Sequence, residues 1–475
     1  MRIFSNQISK YESREIEMAG WVGNRRDHGK IVFIDLRDRK GIAQIVFTPK
    51  DEKLYKLANS LRSEWVIKIK GEVKKRPEGM ENPNLPNGKY EVSVSDLKVL
   101  TEAKTPPISI DGDGMDINEE KRMEHRYLDL RRDRMKKNIR NRSKVTNYVR
   151  NFFADRDFVE IETPILGKST PEGARDYLVP SRLHSGKFYA LPQSPQQYKQ
   201  LLMVAGFERY FQLARCFRDE DTRGDRQPEF TQIDIELSFT NEEEILSLTE
   251  ELFLSLVKKM YPDKKFILDK NGHIPKITYE EALKEHKTDR PDVRENKENP
   301  DELAFLFVTN FPAFERKEGK GNRWAAVHHP FTMPKVESVE EFKESFKKDP
   351  SSIKARQYDL VLNGYEIAGG SIRIHDPKLL SAVFEALGHK KEDIKERFGQ
   401  LLKAFQYGVP PHGGIAVGFD RVMMILENEP SIREVITFPK TGDGRDLMMN
   451  APSEVEEEQL KELHIKKDLK DDGHK

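Results

Sequence analysis

The chain of 475 residues is 36% hydrophobic and 34% charged, and its formal net charge is +0. The length predicts two or three domains, and the absence of a long apolar run excludes a membrane-spanning helix and a signal peptide, so we expect a cytoplasmic protein. A single cysteine, Cys216, excludes disulfide scaffolds and cysteine metal clusters, and the balanced charge requires local basic patches to hold any nucleic acid.

The first 103 residues show the pattern of a small all-β domain. Strand-like segments lie at 31–36, 42–47, 66–73 and 90–94, and the proline- and glycine-rich segment 76–88 is predicted to be a loop. Several short strands over this length are typical of a small barrel of the oligonucleotide-binding (OB) type. Residues 1–103 are therefore predicted to form an OB-fold β-barrel.

The alternation within these strands predicts a surface that could contact RNA. If Val32, Ile34 and Leu36 face the core, then Phe33 on the same strand and Gln44 on the next one face outward. The basic residues of segment 25–28 lie just before them, so an exposed aromatic ring, an amide and cations could stack on and read bases. The alternative is that Phe33 packs under a loop and the basic residues are simply solvated.

The pattern changes after residue 137. Residues 104–137 contain prolines, glycines and a mixed run of charges, which predicts a hinge or linker. From 138 to 475 helical and strand patterns alternate, typical of a second domain that holds both kinds of element. Thr240 and Glu243 have the spacing of a capping box ahead of an amphipathic helix with Ile245, Leu248 and Leu252 on one face.

A charged segment between two strand-like stretches indicates a nucleotide site. Residues 217–236 begin with a loop rich in arginine and acidic residues and continue into an alternating pattern at Phe230, Gln232, Asp234 and Glu236. Fixed arginines suit a nucleoside triphosphate because guanidinium groups grip phosphate oxygens, and carboxylates can hold Mg²⁺ or an ammonium group. Taken alone, the segment could also be an ordinary solvated hairpin.

Three segments far apart in the sequence resemble the three signatures of the class II aminoacyl-tRNA synthetases. They are residues 157–166, which form the dimer interface in that family, residues 217–236 and residues 413–426. In the third, glycines let a strand pass close under a ligand, and Arg421 opens the following helix. The resemblance implies a catalytic domain with an antiparallel sheet flanked by helices, so the whole chain is expected to be an α+β multidomain protein and a homodimer.

Further motifs are similar to those of aspartyl-tRNA synthetases of the bacterial type. They lie at residues 169–177, 193–199, 328–331 and 364–373, and the similarity extends over nearly the whole chain. It implies an enzyme that activates L-aspartate with ATP to aspartyl-adenylate and transfers it to the 3′ end of tRNA(Asp). Arg373 with Lys199 favours a carboxylate substrate over the amide or ammonium substrate of asparaginyl- or lysyl-tRNA synthetases.

The resemblance implies the roles of the residues at the amino-acid end of the site. Lys199 and Arg373 would bind the side-chain carboxylate of aspartate, since an anion that leaves water needs compensating cations. The rest of the implied aspartate-binding set, around the α-ammonium group and beside it, consists of Glu172, Ser194, Gln196, Asp234 and His328.

At the other end, Arg218 would contact the α-phosphate of ATP and the reacting carboxylate together, which aligns two anions and offsets their repulsion. Arg421 would hold the γ-phosphate, and Glu220 completes the implied catalytic set. Phe230 would stack on adenine. The implied ATP-binding set is Arg218, Asp219, Glu220, Gln227, Phe230, Glu366, Gly418, Phe419, Asp420 and Arg421. The candidate ligands for Mg²⁺ are Asp359, Glu366 and Glu236.

On the barrel, the implied anticodon-binding residues are Arg26, His28, Phe33 and Gln44. His28, together with Gly79, resembles members of the family that charge both tRNA(Asp) and tRNA(Asn), so a non-discriminating enzyme is an alternative. An alternative of another class is a non-catalytic RNA-binding paralogue, which would have no need of the full set of charged site residues.

The sequence departs from the bacterial family in two places. The large domain that usually separates the second signature from the His328–Phe331 motif has no room here, so a shortened insertion is expected near 262–325. Asp157 stands where the family usually has glycine, which is expected to alter a turn at the dimer edge.

Overall fold

The computed structural model describes residues 2–83, 85–169, 173–316 and 324–467. These divide into two compact units, residues 1–114 and 115–475. The boundary falls inside the segment 104–137, whose second part carries short helices. None of the helices in the described ranges is long and apolar enough to cross a membrane.

The first unit is a closed five-stranded barrel, as predicted. Its strand order is β1-β2-β3-β5-β4, and all neighbouring pairs are antiparallel except β3 with β5. A 3₁₀ helix, Ser5–Tyr11, precedes the barrel. The strands and helix are β1 (Glu15–His28), β2 (Ile31–Asp38), β3 (Gly41–Phe47), α1 (Glu52–Ser60), β4 (Val66–Lys75) and β5 (Tyr90–Thr101).

The faces of β2 and β3 follow the predicted alternation, but Gln44, expected to be an exposed amide on the outer face, is buried. Val32, Ile34 and Leu36 are fully buried in the barrel core, while Phe33 is half-buried outside it. Register pairs Arg26 with Phe33 and Asp35 with Gln44, so these residues share the outer face of the barrel.

The second unit is built on an eight-stranded sheet. Its order is β12-β14-β17-β18-β19-β10-β9-β6, and the strands are antiparallel as predicted except at the two edges. There β12 pairs in parallel with β14, and β6 pairs in parallel with β9. The strands are β6 (Val159–Glu160), β9 (Arg209–Phe217), β10 (Glu229–Ser238), β12 (Lys276–Thr278), β14 (Phe305–Thr309), β17 (Gln357–Leu362), β18 (Tyr365–Ile372) and β19 (His412–Gly418). Three two-stranded pairs lie outside it: β7 (Leu178–Pro180) with β8 (Phe188–Ala190), β11 (Lys265–Phe266) with β13 (Glu302–Leu303), and β15 (Phe314–Arg316) with β16 (Trp324–Ala326).

The two faces of this sheet differ in chemistry because side chains alternate along each strand. One face is apolar and packs against helices, and one of its cross-strand rows is Leu360, Ala368, Val417, Ile233 and Leu213. The opposite face carries the row Asp359, Gly369, Ala416, Asp234 and Gln212 and the row Gln357, Ser371, Gly414, Glu236 and Tyr210. Small residues in the middle of polar rows leave room for a ligand above the sheet.

Helices flank the sheet, and their buried faces form the rest of the core. The helices of this unit are α2 (Glu119–Glu124), α3 (Arg126–Asp129), α4 (Asp133–Ala154), α5 (Gln196–Val204), α6 (Glu242–Met260), α7 (Tyr279–His286), α8 (Val339–Lys348), α9 (Pro377–Ala386), α10 (Lys391–Phe405), α11 (Phe419–Leu426) and α12 (Glu457–Glu462). Two 3₁₀ turns lie at Pro350–Ser352 and Ile432–Glu434.

The predicted cap of α6 is wrong by one residue. Asn241 is the N-cap, and its side chain accepts a hydrogen bond from the backbone N–H of Glu244 at 3.0 Å. Thr240 instead donates its hydroxyl to the Glu244 carboxylate. Asparagine is as good a cap as threonine, so the residue type did not decide between the two starting points.

The turn at residue 157 has a backbone that explains the family preference for glycine. Asp157 adopts a φ of 60°, in the left-handed region that glycine enters most easily. Aspartate tolerates this region better than most residues because its short side chain hydrogen-bonds locally. Asp157 therefore occupies a left-handed position in the turn that leads α4 into β6.

Candidate active site

A cavity of about 390 Å³ opens above the polar face of the sheet. Its floor comes from β10, β18 and β19, and its walls come from α5, the loop between β9 and β10, and the start of α11. The predicted residues that line it are Ser194, Gln196, Lys199, Arg218, Glu220, Gln227, Phe230, Asp234, His328, Glu366, Arg373, Gly418, Asp420 and Arg421.

The floor is low because the middle strand positions carry no large side chains. A Cβ on Gly369 would lie 3.2 Å from Asp359 Oδ1, 3.6 Å from Glu366 Oε1 and 3.7 Å from His328 Nε2. A Cβ on Gly414 would overlap the Glu236 carboxylate, at 2.2 Å from Oε2. Glycine at 414 is therefore required beside the Glu236 carboxylate, and a Cβ at 369 would crowd Asp359.

A buried cluster of four charged side chains forms one end of the cavity. Lys199 Nζ donates to Asp234 Oδ1 at 2.8 Å and lies 3.2 Å from Glu236 Oε2. Arg373 donates from Nε to Glu236 Oε1 at 3.0 Å and from Nη2 to Oε2 at 3.2 Å. All four side chains are at most 2% exposed, so two cations and two carboxylates balance one another away from water.

The two carboxylates of this cluster differ in acidity. Burial alone would raise the pKa of Glu236, but Arg373 and then Lys199 outweigh it and lower the pKa to about 2. Burial raises the pKa of Asp234, and Lys199 opposes that rise only in part. Glu236 is therefore the stably ionised carboxylate of the cluster, whereas a further cation beside Asp234 would stabilise its ionised form.

Two histidines cover the same end of the cavity. Their rings lie 4.2 Å apart, and His329 Nε2 is in hydrogen-bonding contact with Arg373 Nη1. Burial, together with the charges of Arg373, Lys199 and Arg218, lowers the pKa of His328 to about 3. His328 is therefore neutral at physiological pH and offers a hydrogen-bonding ring rather than a third cation.

Several polar atoms that point into this region are buried and have no hydrogen-bond partner among the described residues. They are Gln196 Nε2, Arg218 Nε, Asp234 Oδ2 and His328 Nδ1. A buried polar group that stays unpaired costs about 1–3 kcal/mol. The set contains amide and guanidinium donors and a carboxylate acceptor, which matches a ligand that carries both an ammonium group and a carboxylate.

The other end of the cavity is formed by partly buried cations. The Arg218 guanidinium lies over the ring of Phe230, with its Cζ 5.0 Å from the ring centroid. Arg421 donates to Glu366 O at 2.7 Å and lies 3.1 Å from Asp225 Oδ2. These arginines can exchange such contacts for phosphate oxygens, since their present partners are a ring face, backbone carbonyls and a partly buried acid.

The structure places several predicted residues away from the ligand space. Asp219 does not line the cavity and pairs with Arg175, and Phe419 is buried in the core against Arg142. Gln227 lines the cavity, but its amide is engaged by the backbone of Lys440 on both sides. Glu172 lies outside the described residues.

Glu236 does not join the two other predicted metal ligands. Its carboxylate is occupied by Arg373 and Lys199, so the structure favours a role in holding those cations over metal binding. Asp359 and Glu366 do converge above Gly369, and burial followed by the Glu366 charge raises the pKa of Asp359 well above its usual range. A cation there would relieve that repulsion, so this pair fits Mg²⁺, with phosphate oxygens as further ligands. Within the described residues, no group of three or more histidine, cysteine, aspartate or glutamate side chains could hold a metal ion by itself.

The structure adds lining residues that were not predicted to belong to the site. They are Gly173, Ala174, Asp225, Arg226, Gln232, His329, Ile367, Ala368, Gly369, Ala416 and Ile432. All except Ile432 lie within the motifs already described, beside predicted residues. Ile432 had no such signal, because it reaches the cavity from a 3₁₀ turn outside all motifs.

The predicted RNA-binding surface of the barrel has a different character. Arg26 donates to Asp35 Oδ1 at 2.8 Å and contacts Gln44 Oε1 at 3.4 Å, and Gln44 donates to Glu91 at 2.9 Å. Burial raises the pKa of Asp35 despite Arg26 nearby. His28 is exposed at the end of β1. The face is a connected polar network beside the half-buried ring of Phe33.

Comparison with known proteins identifies the class of protein to which the chain belongs. Residues 118–442 match the family described as tRNA synthetases class II (D, K and N), and residues 16–100 match the OB-fold nucleic acid binding domain. The first match covers more than half of the chain. The chain therefore belongs to the class II aminoacyl-tRNA synthetases.

Curated relatives are similar along almost the whole chain. Aspartate–tRNA(Asp/Asn) ligase of Rubrobacter xylanophilus is 42% identical, with 95% of this chain and 94% of the relative covered. Aspartate–tRNA ligase of Staphylococcus aureus is 38% identical, with 95% and 97% covered. The first alignment extends over 575 positions, more than the 475 residues present here, so that relative holds a stretch without counterpart in this chain.

Solved structures share the fold at lower identity. Asparaginyl-tRNA synthetase from Pyrococcus horikoshii complexed with asparaginyl-adenylate superposes with a TM-score of 0.73 at 22% identity, covering 93% of this chain and 98% of that chain. Aspartyl tRNA synthetase from Entamoeba histolytica gives a TM-score of 0.71 at 22% identity, covering 92% and 91%.

Proposed function

We propose that this chain is an aspartate–tRNA ligase, which forms aspartyl-adenylate from L-aspartate and ATP and transfers the aspartate to the 3′ end of tRNA(Asp). The observation that carries the proposal is the buried cluster of Lys199, Asp234, Glu236 and Arg373 at one end of the cavity. The names of the curated relatives at 38–42% identity support the same substrate.

Charge balance in the cluster favours aspartate over related amino acids. The four side chains are neutral as a group, and the side-chain carboxylate and α-ammonium group of aspartate add one charge of each sign. Asparagine would add only the ammonium charge and lysine two positive charges, and an uncompensated buried charge is strongly unfavourable. Discrimination at the amino acid should therefore be strong.

The unpaired polar atoms suggest how the substrate is oriented. Asp234 Oδ2 is an unpaired acceptor that suits the α-ammonium group, the unpaired donor Gln196 Nε2 suits a substrate oxygen, and Lys199 with Arg373 would hold the side-chain carboxylate. The α-carboxylate is then left for Arg218 at the junction with the ATP end. This orientation presents the reacting oxygen to the nucleotide.

Activation requires two anions to approach each other. An oxygen of the aspartate α-carboxylate attacks the α-phosphorus of ATP, and the bond from that phosphorus to the bridging oxygen breaks to release pyrophosphate. Arg218 would contact both reacting groups, and Arg421 would hold the far phosphates, so positioning and charge compensation lower the barrier without a covalent enzyme intermediate. Asp359 and Glu366 would hold Mg²⁺, which neutralises phosphate charge when bound.

Transfer follows at the same carbonyl. The terminal ribose hydroxyl of the tRNA attacks the aspartyl carbonyl carbon, and the bond to the phosphate oxygen breaks to release AMP. The same side chains that oriented the amino acid for activation hold it for this step, because the aspartyl group does not need to move.

We also propose that the choice of tRNA is relaxed and that tRNA(Asn) is charged with aspartate. The residues His28 and Gly79 on the barrel and the tRNA(Asp/Asn) specificity in the names of several relatives support this proposal. Charging purified tRNA(Asp) and tRNA(Asn) side by side tests it. Comparable kcat/KM on both supports the relaxed enzyme, and activity on tRNA(Asp) alone overturns it.

A homodimer is proposed from the exposed apolar residues around the first signature. The large apolar side chains of segment 159–188 that are 41–87% exposed are Val159, Ile165, Leu166, Leu178, Leu183 and Phe188. Analytical ultracentrifugation should give twice the chain mass of 55.2 kDa. Replacement of Leu166 and Leu178 by glutamate should shift the mass to that of one chain.

ATP–pyrophosphate exchange tests the amino-acid assignment directly. We expect exchange that depends on L-aspartate and is at background with L-asparagine or L-lysine. Exchange driven by asparagine would overturn the aspartate assignment. No exchange with any amino acid, combined with tRNA binding, would favour a non-catalytic RNA-binding paralogue.

A further inference from the structure

The 3₁₀ turn Ile432–Glu434 holds the loop that carries the ATP-site arginines. The backbone N–H of Ile432 and the hydroxyl of Ser431 both donate to Gly224 O at 3.0 Å. Arg433 Nη1 donates to Arg223 O at 3.4 Å. Two consecutive carbonyls of the loop between β9 and β10 are thus held by this turn.

The same loop is joined to a cavity-lining arginine one residue later. Arg421 donates from Nε to Asp225 O at 3.2 Å, and its Nη2 lies 3.1 Å from Asp225 Oδ2. A shift of residues 223–224 would therefore move the partner of Arg421. The turn acts on the ATP end of the cavity and makes no such contact with the aspartate end in the described part of the chain.

Side chains from α2 and α3 hold the turn from its other side. Glu119 accepts two hydrogen bonds from Arg433, from Nε at 2.7 Å and from Nη2 at 3.1 Å. Arg122 binds Glu434 through two nitrogens at 3.0 and 2.8 Å, and Arg126 donates to Arg433 O at 2.5 Å. The bidentate geometry fixes direction as well as distance.

We propose that Glu119 and Arg433 are a positioning pair for the ATP-binding loop. Arg433 does not line the cavity, so it acts through Arg223 and, two residues further, Asp225 rather than on a substrate. Its side chain is 14% exposed and that of Glu119 is 40% exposed, whereas Arg122 and Glu434 are almost fully buried. The pair can therefore be altered with a smaller effect on folding than the ion pair beside it.

The test uses the variants Glu119→Gln and Arg433→Met in ATP–pyrophosphate exchange, with KM measured separately for ATP and for aspartate. We expect KM for ATP to rise about tenfold in each variant and KM for aspartate to stay within about twofold. The double variant should be no worse than the single ones, because both remove the same contact. Arg433→Lys keeps the charge but loses the forked geometry and should give an intermediate KM for ATP.

Glu120→Gln is the matched control, since Glu120 is the next residue of α2, is 66% exposed and lies 3.9 Å from Arg445. It should leave both KM values unchanged. An unchanged KM for ATP in the Glu119 and Arg433 variants would overturn the proposal, as would an equal rise in both KM values with a lowered melting temperature. The inference rests on the proposed function: wild-type protein without aspartate-dependent exchange would refute that function, and equilibrium binding of ATP to the same variants would then decide on the pair.

Discussion

The amino-acid end of the cavity and the outer face of the barrel are both polar surfaces with arginines, carboxylates and amides, but they are built in opposite ways. At the cavity, Lys199, Glu236 and Arg373 are buried and rigidly paired, while other polar atoms beside them remain unmatched. On the barrel, Gln44 and Asp35 are buried but already hydrogen-bonded, and their partner Arg26 is about half exposed.

This difference determines how selective each surface can be. A ligand in the cavity must match unpaired atoms that cannot reach water, so a wrong ligand leaves a buried group unsatisfied. A base that binds the barrel face replaces hydrogen bonds that its residues already make with one another or with water. A wrong base therefore loses less binding free energy than a wrong amino acid does in the cavity. The comparison predicts strict choice of amino acid and weaker choice of tRNA.

The largest effect is expected for Arg373→Ala. Removal of this side chain leaves Glu236 buried with only Lys199 nearby, so aspartate-dependent exchange should be abolished and the free energy of unfolding should fall by about 3–5 kcal/mol. Exchange assays and urea unfolding measure the two losses. Arg215→Ala, which removes an exposed arginine paired with Glu229, should change stability by about 0–1 kcal/mol and leave exchange intact. Normal exchange in the Arg373 variant would show that the buried cluster is not needed to bind aspartate.

A smaller loss with altered selectivity is expected for Lys199→Met. The variant keeps both carboxylates but loses one cation, so it should repel the aspartate side chain. The expected decrease in kcat/KM for aspartate corresponds to a loss of about 2–5 kcal/mol of transition-state stabilisation. The neutral side chain of asparagine is affected less. The ratio of exchange rates with aspartate and asparagine should therefore fall, and an unchanged ratio would mean that the cluster does not discriminate by charge.

A still smaller loss, confined to tRNA, is expected for Phe33→Ala. Loss of one base-stacking ring costs about 1–3 kcal/mol, so KM for tRNA should rise in aminoacylation at fixed salt. Pyrophosphate exchange should be unaffected. Leu100→Ala, an exposed apolar residue on the same barrel, serves as the control. Equal losses in exchange and aminoacylation would refute the separation of the two surfaces.

The pH dependence should show the smallest effect. Because the pKa of His328 is lowered to about 3, its ring is already neutral above that pH and gains no proton until the pH falls far below its ordinary pKa of 6.5. The profile of kcat/KM for aspartate should therefore contain no ionisation of His328 between about pH 5 and 8. Comparison of wild type with His328→Gln measures this. A limb near pH 6.5 that disappears in the variant would show that the ring is charged in the free enzyme.

Periodicity predicted the barrel because it reports which side of each strand is buried, whereas the antiparallel sheet of the second domain was expected from the resemblance of its motifs to a known family. The alternation at residues 31–36 and 42–47 indicated the barrel core, and the alternation after Phe230 placed Asp234 and Glu236 on one face of a strand. The cap of α6 was placed one residue early because two capping residues stand side by side. The turn at Asp157 could not be read as left-handed from the residue type alone.

The residue types at the site were visible in the sequence, but their partners were not. Glu236 and Asp234 are two positions apart on β10 and equivalent by periodicity. Register with β19 and the approach of Arg373 from the end of β18, on the far side of β19, make Glu236 the fixed partner of two cations and leave Asp234 with an unpaired oxygen.

The class of fold, the polar face of the sheet and the residue types that suit an amino acid and a nucleoside triphosphate were predictable, because these depend on local periodicity and on motifs within single segments. The folded structure was needed to show which charges pair, which polar atoms remain unmatched, and that Ile432 reaches the cavity while Phe419 does not. Those properties depend on distances between residues far apart in the chain, and such distances are set by strand register and helix packing.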